Sequence, residues 1–364
     1  MLLRPALPFA ALLTLVAHAQ PPAAPEPTAP TTSTPPAAPA WTKFPRPKSV
    51  PIQASSVMGS GPQPLVLITD LGPEPSAYDR FAQRHATVFT THTLAMPGST
   101  KDARGPQLHR GDVKDPEWLL NAADAVAAYI RENNLKQPII LGHGIGGMVG
   151  YMLAITQPDL AQSYVVVNML PARTVGGPGR IPLRVDRNAE VDRLERGPLM
   201  ELKRNSWLNQ VRDTVPSQCL DPKFAEELVN MYSRVSVVAV RRYRLESLYL
   251  DLRDDLDTVQ TPMLVVLTVP DWFPRLDREV LKSAFLNVGF NRPNVTVEIL
   301  ENVRGWGIIE SPDRFDPPLL KFLGLSSPNA EPQPTPQPTP QPDPQPEHQP
   351  EHQPDAPGDK KGTP

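Results

Sequence analysis

Residues 141–148 read Leu141-Gly142-His143-Gly144-Ile145-Gly146-Gly147-Met148. An apolar run, Pro138-Ile139-Ile140-Leu141, enters this stretch, and Met148–Thr156 leaves it with the composition of a buried helix. Four glycines in six positions predict a sharp strand-to-helix turn, because glycine alone combines free backbone dihedrals with close backbone approach.

Outward from that turn the same alternation continues. Asp115-Pro116-Glu117 is a helix start, a capping carboxylate followed by proline and an acid. Leu119, Ala122, Ala123, Val126 and Ile130 then share one helical face. Upstream, Leu65–Ile68 predicts a strand, Ser76–Ala86 a helix and Thr87–Met96 a strand. Downstream, Ser163–Leu170, Met263–Val269 and Val295–Leu300 predict strands, and Asp316-Pro317 opens a final helix. Strand alternating with helix predicts an α/β class with a mostly parallel sheet covered on both faces. Residues 171–260 interrupt the rhythm with a helical, arginine-rich stretch. Its acids nearly match its bases, which favours a salt-bridged solvent face over an anionic site.

The two ends differ from this core. Arg4, the apolar run Ala6–Ala17 and Ala17-His18-Ala19 form a secretory signal pattern over 1–19. About 12 apolar residues are too few for the ~20 that span a bilayer. Of the 48 prolines of the 364-residue chain, 22 crowd into 20–45 and 327–364. Both stretches predict disordered, extended chain flanking a domain at 46–326. His348 and His352 lie in the second stretch without a fixed geometry, so no metal site is expected. A net charge of −3 offers no basic face for nucleic acid. Cys219 is the single cysteine, which excludes an intrachain disulfide and suits a buried structural thiol. His85, His92 and His109 read as core or surface residues.

The glycine turn resembles the nucleophile elbow of the α/β-hydrolase fold superfamily, of the lid-bearing serine hydrolase type. The resemblance extends over about 64–325. Leu65–Gly72 resembles the early strand and oxyanion loop, Met96-Pro97-Gly98-Ser99 the next loop, and 171–260 occupies the place of a helical lid. Glu310–Phe315 resembles the family's ending, which a catalytic histidine precedes by five residues. The resemblance implies the α/β-hydrolase fold and a Ser-His-acid triad.

Aligned in this way, the nucleophile position is Gly144 and the histidine position is Gly305. No histidine occurs between His143 and His348, and the acid position falls on Asp271. Thr69-Asp70 replaces the family's usual His-Gly, placing a carboxylate where an oxyanion would develop. Thr69, Asp70, Leu71, His143 and Ile145 are the expected pocket and oxyanion-loop residues, with the His143 side chain turned from the pocket.

The expected function is an exported, periplasmic or extracellular pseudoenzyme. It would bind a small molecule under the lid, or an envelope protein, with no cofactor. Cholinesterase-like adhesion proteins resemble it in carrying glycine at the nucleophile position. The alternatives are an active hydrolase with a displaced triad and a structural envelope protein. Gly142-x-Gly144-x-x-Gly147 also fits the fingerprint of an NAD-binding oxidoreductase, which needs an acid about twenty residues on. Asn168-Met169-Leu170 stands there instead.

Overall fold

The computed structural model describes residues 52, 54–99, 115–175, 184–273, 275–286, 290 and 292–325. The expected signal, both proline-rich stretches and His109 lie outside them. The elements run β1 (Ala54–Met58), β2 (Gln63–Ile68), α1 (Asp79–Arg84), β3 (Phe89–Leu94), α2 (Glu117–Glu132), β4 (Ile139–His143), α3 (Ile145–Thr156) and β5 (Ser163–Val167). Five helices follow before the next strand: α4 (Arg184–Val191), α5 (Gly197–Met200), α6 (Arg204–Thr214), α7 (Pro222–Arg234) and α8 (Val237–Tyr249). The chain then completes β6 (Met263–Val269), α9 (Arg275–Leu286), β7 (Val295–Glu301), α10 (Gly307–Glu310) and α11 (Pro312–Phe322).

The seven strands form one sheet in the order β1-β3-β2-β4-β5-β6-β7. β1 is antiparallel to β3, and every other pairing is parallel. All residues of β4, β5 and β6 are buried. Since successive side chains point to opposite faces, both faces of the central sheet are covered, as the unbroken apolar runs predict. The register sets Gly142 of β4 between Ile68 of β2 and Val166 of β5. The glycine turn therefore leaves the sheet at its centre, where the carboxyl ends of the parallel strands gather.

Three helix starts correct the sequence expectations. The Asp115 carboxylate makes no capping bond to α2, whose N-cap is Pro116. The carboxylate of Glu246, on α8, caps this helix instead, accepting from Trp118 N–H at 3.0 Å and Leu119 N–H at 2.9 Å. Ser76–Ala86 divides into a 3-10 turn, Pro75–Tyr78, and α1. The last helix begins at Pro312 rather than Asp316, because Pro312 takes the first turn and the Ser311 carbonyl accepts the Phe315 N–H at 2.9 Å; Asp316 inside the helix instead pairs with Arg84, Nε 2.6 Å from its Oδ2. The α7 start behaves as the sequence predicts: Asp221 Oδ1 accepts from Lys223 N–H at 2.9 Å.

The arginine-rich insertion is not simply a solvated face. Arg187 and Arg242 are among the largest fully buried side chains, because the insertion folds them inward. Arg242 pairs with Glu246, and its Nη2 lies 3.3 Å from Glu117 Oε2. Burial pushes the Glu246 carboxyl up to about 7, against the opposing pull of Arg242 and the two capping N–H groups.

Candidate functional site: an elbow without a nucleophile

Gly144 joins β4 to α3 with φ +54 and ψ −125, a conformation that strains any residue bearing a Cβ. Gly146 lets the first turn of α3 lie against β2, since a Cβ there would stand 2.4 Å from the Ile68 carbonyl oxygen. The turn is thus built as a nucleophile elbow is built, and the position the resemblance gives to a nucleophile, Gly144, carries no side chain.

The space is occupied by Asp70. A Cβ placed on Gly144 would lie 2.2 Å from Asp70 Oδ1 and 2.3 Å from its Cγ. Oδ1 accepts the Ile145 N–H at 2.9 Å. That donor belongs to the residue after the nucleophile position, which in an active elbow faces the developing oxyanion. Oδ2 accepts from the Tyr232 hydroxyl of α7 at 3.2 Å. Burial and the neighbouring Asp70 charge hold the Tyr232 phenol well above its ordinary range, so it stays a donor. The sequence expectation of a carboxylate near the oxyanion position is thereby given a geometry.

The histidine position is filled in the same manner. A Cβ on Gly305 would lie 2.4 Å from Gln218 Oε1. The Gly305 carbonyl accepts from Asn168 Nδ2 at 3.0 Å and from His143 Nε2 at 3.2 Å. His143 Nδ1 stands 2.9 Å from the Tyr78 hydroxyl, and that hydroxyl oxygen accepts the Asp70 N–H at 3.1 Å. One proton arrangement satisfies the series: Asp70 N–H donates to Tyr78, Tyr78 to His143 Nδ1, and His143 Nε2–H to Gly305. It requires a neutral imidazole, and burial holds His143 below its ordinary pKa. This histidine ties the early strand end to the loop that would carry the catalytic base.

The other expected residues are placed as follows. Thr69, Leu71 and Ile145 are buried, and Thr69 Oγ1 has no hydrogen-bond partner among the described residues. Asp271 is more than half exposed and faces Arg304, its Oδ1 3.7 Å from Arg304 Nε. His85 and His92 are buried; His92 Nδ1 is 2.8 Å from the Tyr129 hydroxyl. Cys219 is buried, and burial pushes its thiol up to about 12, which suits a structural role. No group of three metal-ligating side chains occurs among the described residues. A cleft of about 440 Å³ lies beside Cys219 and Arg304. The sequence reading missed Tyr78, Gln218 and Tyr232, and no local signal marks them, because their role exists only where separate segments meet.

Over residues 65–317 the chain matches the alpha/beta hydrolase family, and it belongs to that family. A curated relative is a provisionally named carbamate hydrolase, RutD, of Serratia proteamaculans (strain 568). It is 28% identical over 173 residues, which are 47% of this chain and 61% of that protein. The match thus spans less than two thirds of that relative's length. Among solved structures, a hydrolase from Oleispira antarctica superposes with a TM-score of 0.57 at 15% identity, covering 74% of this chain and 94% of that one. An enol-lactonase from Burkholderia xenovorans LB400 gives 0.54 at 15% identity, covering 74% and 95%. At such identities these likenesses concern the fold. The family membership and the seven-stranded sheet carry the expected fold class; no NAD-type fingerprint is needed to account for Gly142, Gly144 and Gly147.

Proposed function

We propose that this protein is a non-catalytic member of the alpha/beta hydrolase family that works by binding, and that it is exported. The observation that carries this reading is the Asp70 carboxylate, 2.9 Å from the Ile145 N–H in the place of the nucleophile. An acyl-transfer site needs a side chain that attacks, a base that takes its proton and free donors for the oxyanion. Here Gly144 and Gly305 supply neither of the first two, and the Ile145 donor is bonded to a fixed negative charge. An oxyanion forming beside Asp70 would meet repulsion where an enzyme provides attraction. Tyr232 of α7 brings the insertion to this place, which supports a lid role for it, and the bound molecule would lie beneath it. Export rests on the residue pattern of 1–19.

The hydrolase names of the relatives favour one other reading, an active enzyme with a displaced triad. Assaying the purified full chain against p-nitrophenyl esters separates the two. The expected rate equals that of heat-denatured protein. Turnover well above that control, lost when Asp70 and Tyr232 are both replaced by bulkier apolar residues, would establish a nucleophile in this pocket and refute the non-catalytic reading.

A further inference from the structure

Three buried or half-buried guanidinium groups of the insertion and its approach, Arg173, Arg187 and Arg244, play no part in the site described above. Arg173 Nη1 donates to Ser247 Oγ of α8 at 3.0 Å. Ser247 lies three residues after Arg244, so the two share one face of α8, about 5–6 Å apart at Cβ. Arg244 in turn stands over the Trp207 ring, 6.0 Å from its centroid. Trp207 packs edge-on against Tyr232, whose hydroxyl holds Asp70. A continuous path of contacts therefore runs from the arginine pair to the filled elbow. Arg187 braces the pair from behind, donating from Nη1 to the Arg173 carbonyl at 2.7 Å.

Carboxylates act on these charges only from beyond contact, Glu195 and Asp70 on Arg173 and Arg244 and Asp251 on Arg187. Among the described residues no carboxylate lies within the 4.0 Å ion-pair distance of Arg173, Arg187 or Arg244. Arg187 is 2% exposed, and its Nε and Nη2 have no hydrogen-bond partner among the described residues. The carboxylate acting most strongly on it, Asp251, is already held by Arg253, with Nε–Oδ1 at 2.8 Å. Burial and mutual repulsion with Arg244 lower Arg173 to about 10, still charged at neutral pH. A buried charge without a contact partner is costly, and guanidinium groups kept this close together suit an anion that completes them.

We infer that Arg173 and Arg244 form the recognition site for a monocarboxylate ligand, held beside Asp70 and the Trp207–Tyr232 wall. The planar guanidinium fork presents parallel N–H groups that match the two oxygens of a carboxylate. Arg173, Arg187 and Arg244 face the Asp70 and Glu195 carboxylates, three positive charges against two negative, which leaves one positive charge that a monoanion neutralises and a phosphate dianion would exceed. Trp207 and Tyr232 supply an aromatic surface for the apolar part of such a molecule. This assignment names the ligand class of the non-catalytic binding role proposed above and rests on it.

The test is calorimetric titration of the full chain with sodium benzoate, with benzamide as the uncharged analogue and inorganic phosphate as the alternative anion. Benzoate should bind saturably, one per chain, with a Kd of about 1 mM or tighter, and benzamide should not bind. Arg244→Gln and Arg173→Gln should each weaken benzoate at least about tenfold. Should a variant fail to fold, the Arg173 and Arg244 side-chain NMR resonances of the unaltered protein give the second readout: they should shift with benzoate. Absence of saturable benzoate binding, equal binding of benzamide, tighter binding of phosphate, or unshifted arginine resonances would each overturn the assignment. Ester turnover by the same protein would instead overturn the non-catalytic reading, with benzoate binding left standing as capture of a product.

Discussion

Gly144→Ala tests the filled elbow most directly. The new methyl group would stand 2.2 Å from Asp70 Oδ1, so the carboxylate must move by more than an ångström. It would then lose the Ile145 N–H at 2.9 Å and the Tyr232 hydroxyl at 3.2 Å. Hydrogen bonds to a charged group are worth about 1.5–3 kcal/mol, and these half-buried ones belong at the lower end. The backbone at φ +54 adds about 1–3 kcal/mol of strain for a residue with a Cβ. Together the substitution should cost about 4–6 kcal/mol. In an Asp70→Ala background the clash and both bonds are already gone, so Gly144→Ala should cost strain alone, about 1–3 kcal/mol. Urea denaturation of the four proteins yields the coupling energy, expected at about 3 kcal/mol. Additivity of the two substitutions to within about 0.5 kcal/mol would show that Asp70 does not occupy the nucleophile space.

Acidification should weaken the fold through His143. Its folded pKa lies below the ordinary 6.5. Below 6.5 the unfolded chain therefore binds a proton that the folded chain resists, and stability present above that pH is lost as pH falls. Glu246 acts in the opposite sense: raised to about 7, it contributes stability that is lost as pH rises through that value. The His143 part is isolated by comparing melting curves of wild type and His143→Gln from pH 7 to 5; parallel pH dependences would contradict the neutral-imidazole arrangement. Export predicts a mature protein beginning at Gln20, so N-terminal sequencing of protein from its native host that reads Met1 from the cytosol would rule it out.

The strands and the elbow were legible because their signals are local. Ile139–Leu141 and Val165–Val167 are apolar without alternation, as strands buried on both faces must be. Helix starts were less legible. At α2 the Asp-Pro-Glu signal marked the right place but named the wrong cap, since Glu246 from 128 residues away displaces Asp115 from that role. At α11 the Asp316-Pro317 signal gave way to an earlier start at Ser311-Pro312.

The sequence by itself determined what the elbow lacks. Glycine stands at 144 and at 305, the positions the resemblance gives to nucleophile and base, and no histidine lies between 143 and 348. It also placed a carboxylate at 70. Only the tertiary structure decided what fills those positions: Asp70 against Gly144, Gln218 against Gly305, and His143 spent on a structural bond series. It decided equally that Arg187 and Arg242, read as solvated, are buried. The physical reason is range. Backbone conformation and hydrophobic period act over a few residues, and so they show in the order of letters. Hydrogen bonds and buried charges join residues 70 to 232 or 173 to 247, and their partners are set only when the sheet brings those segments together.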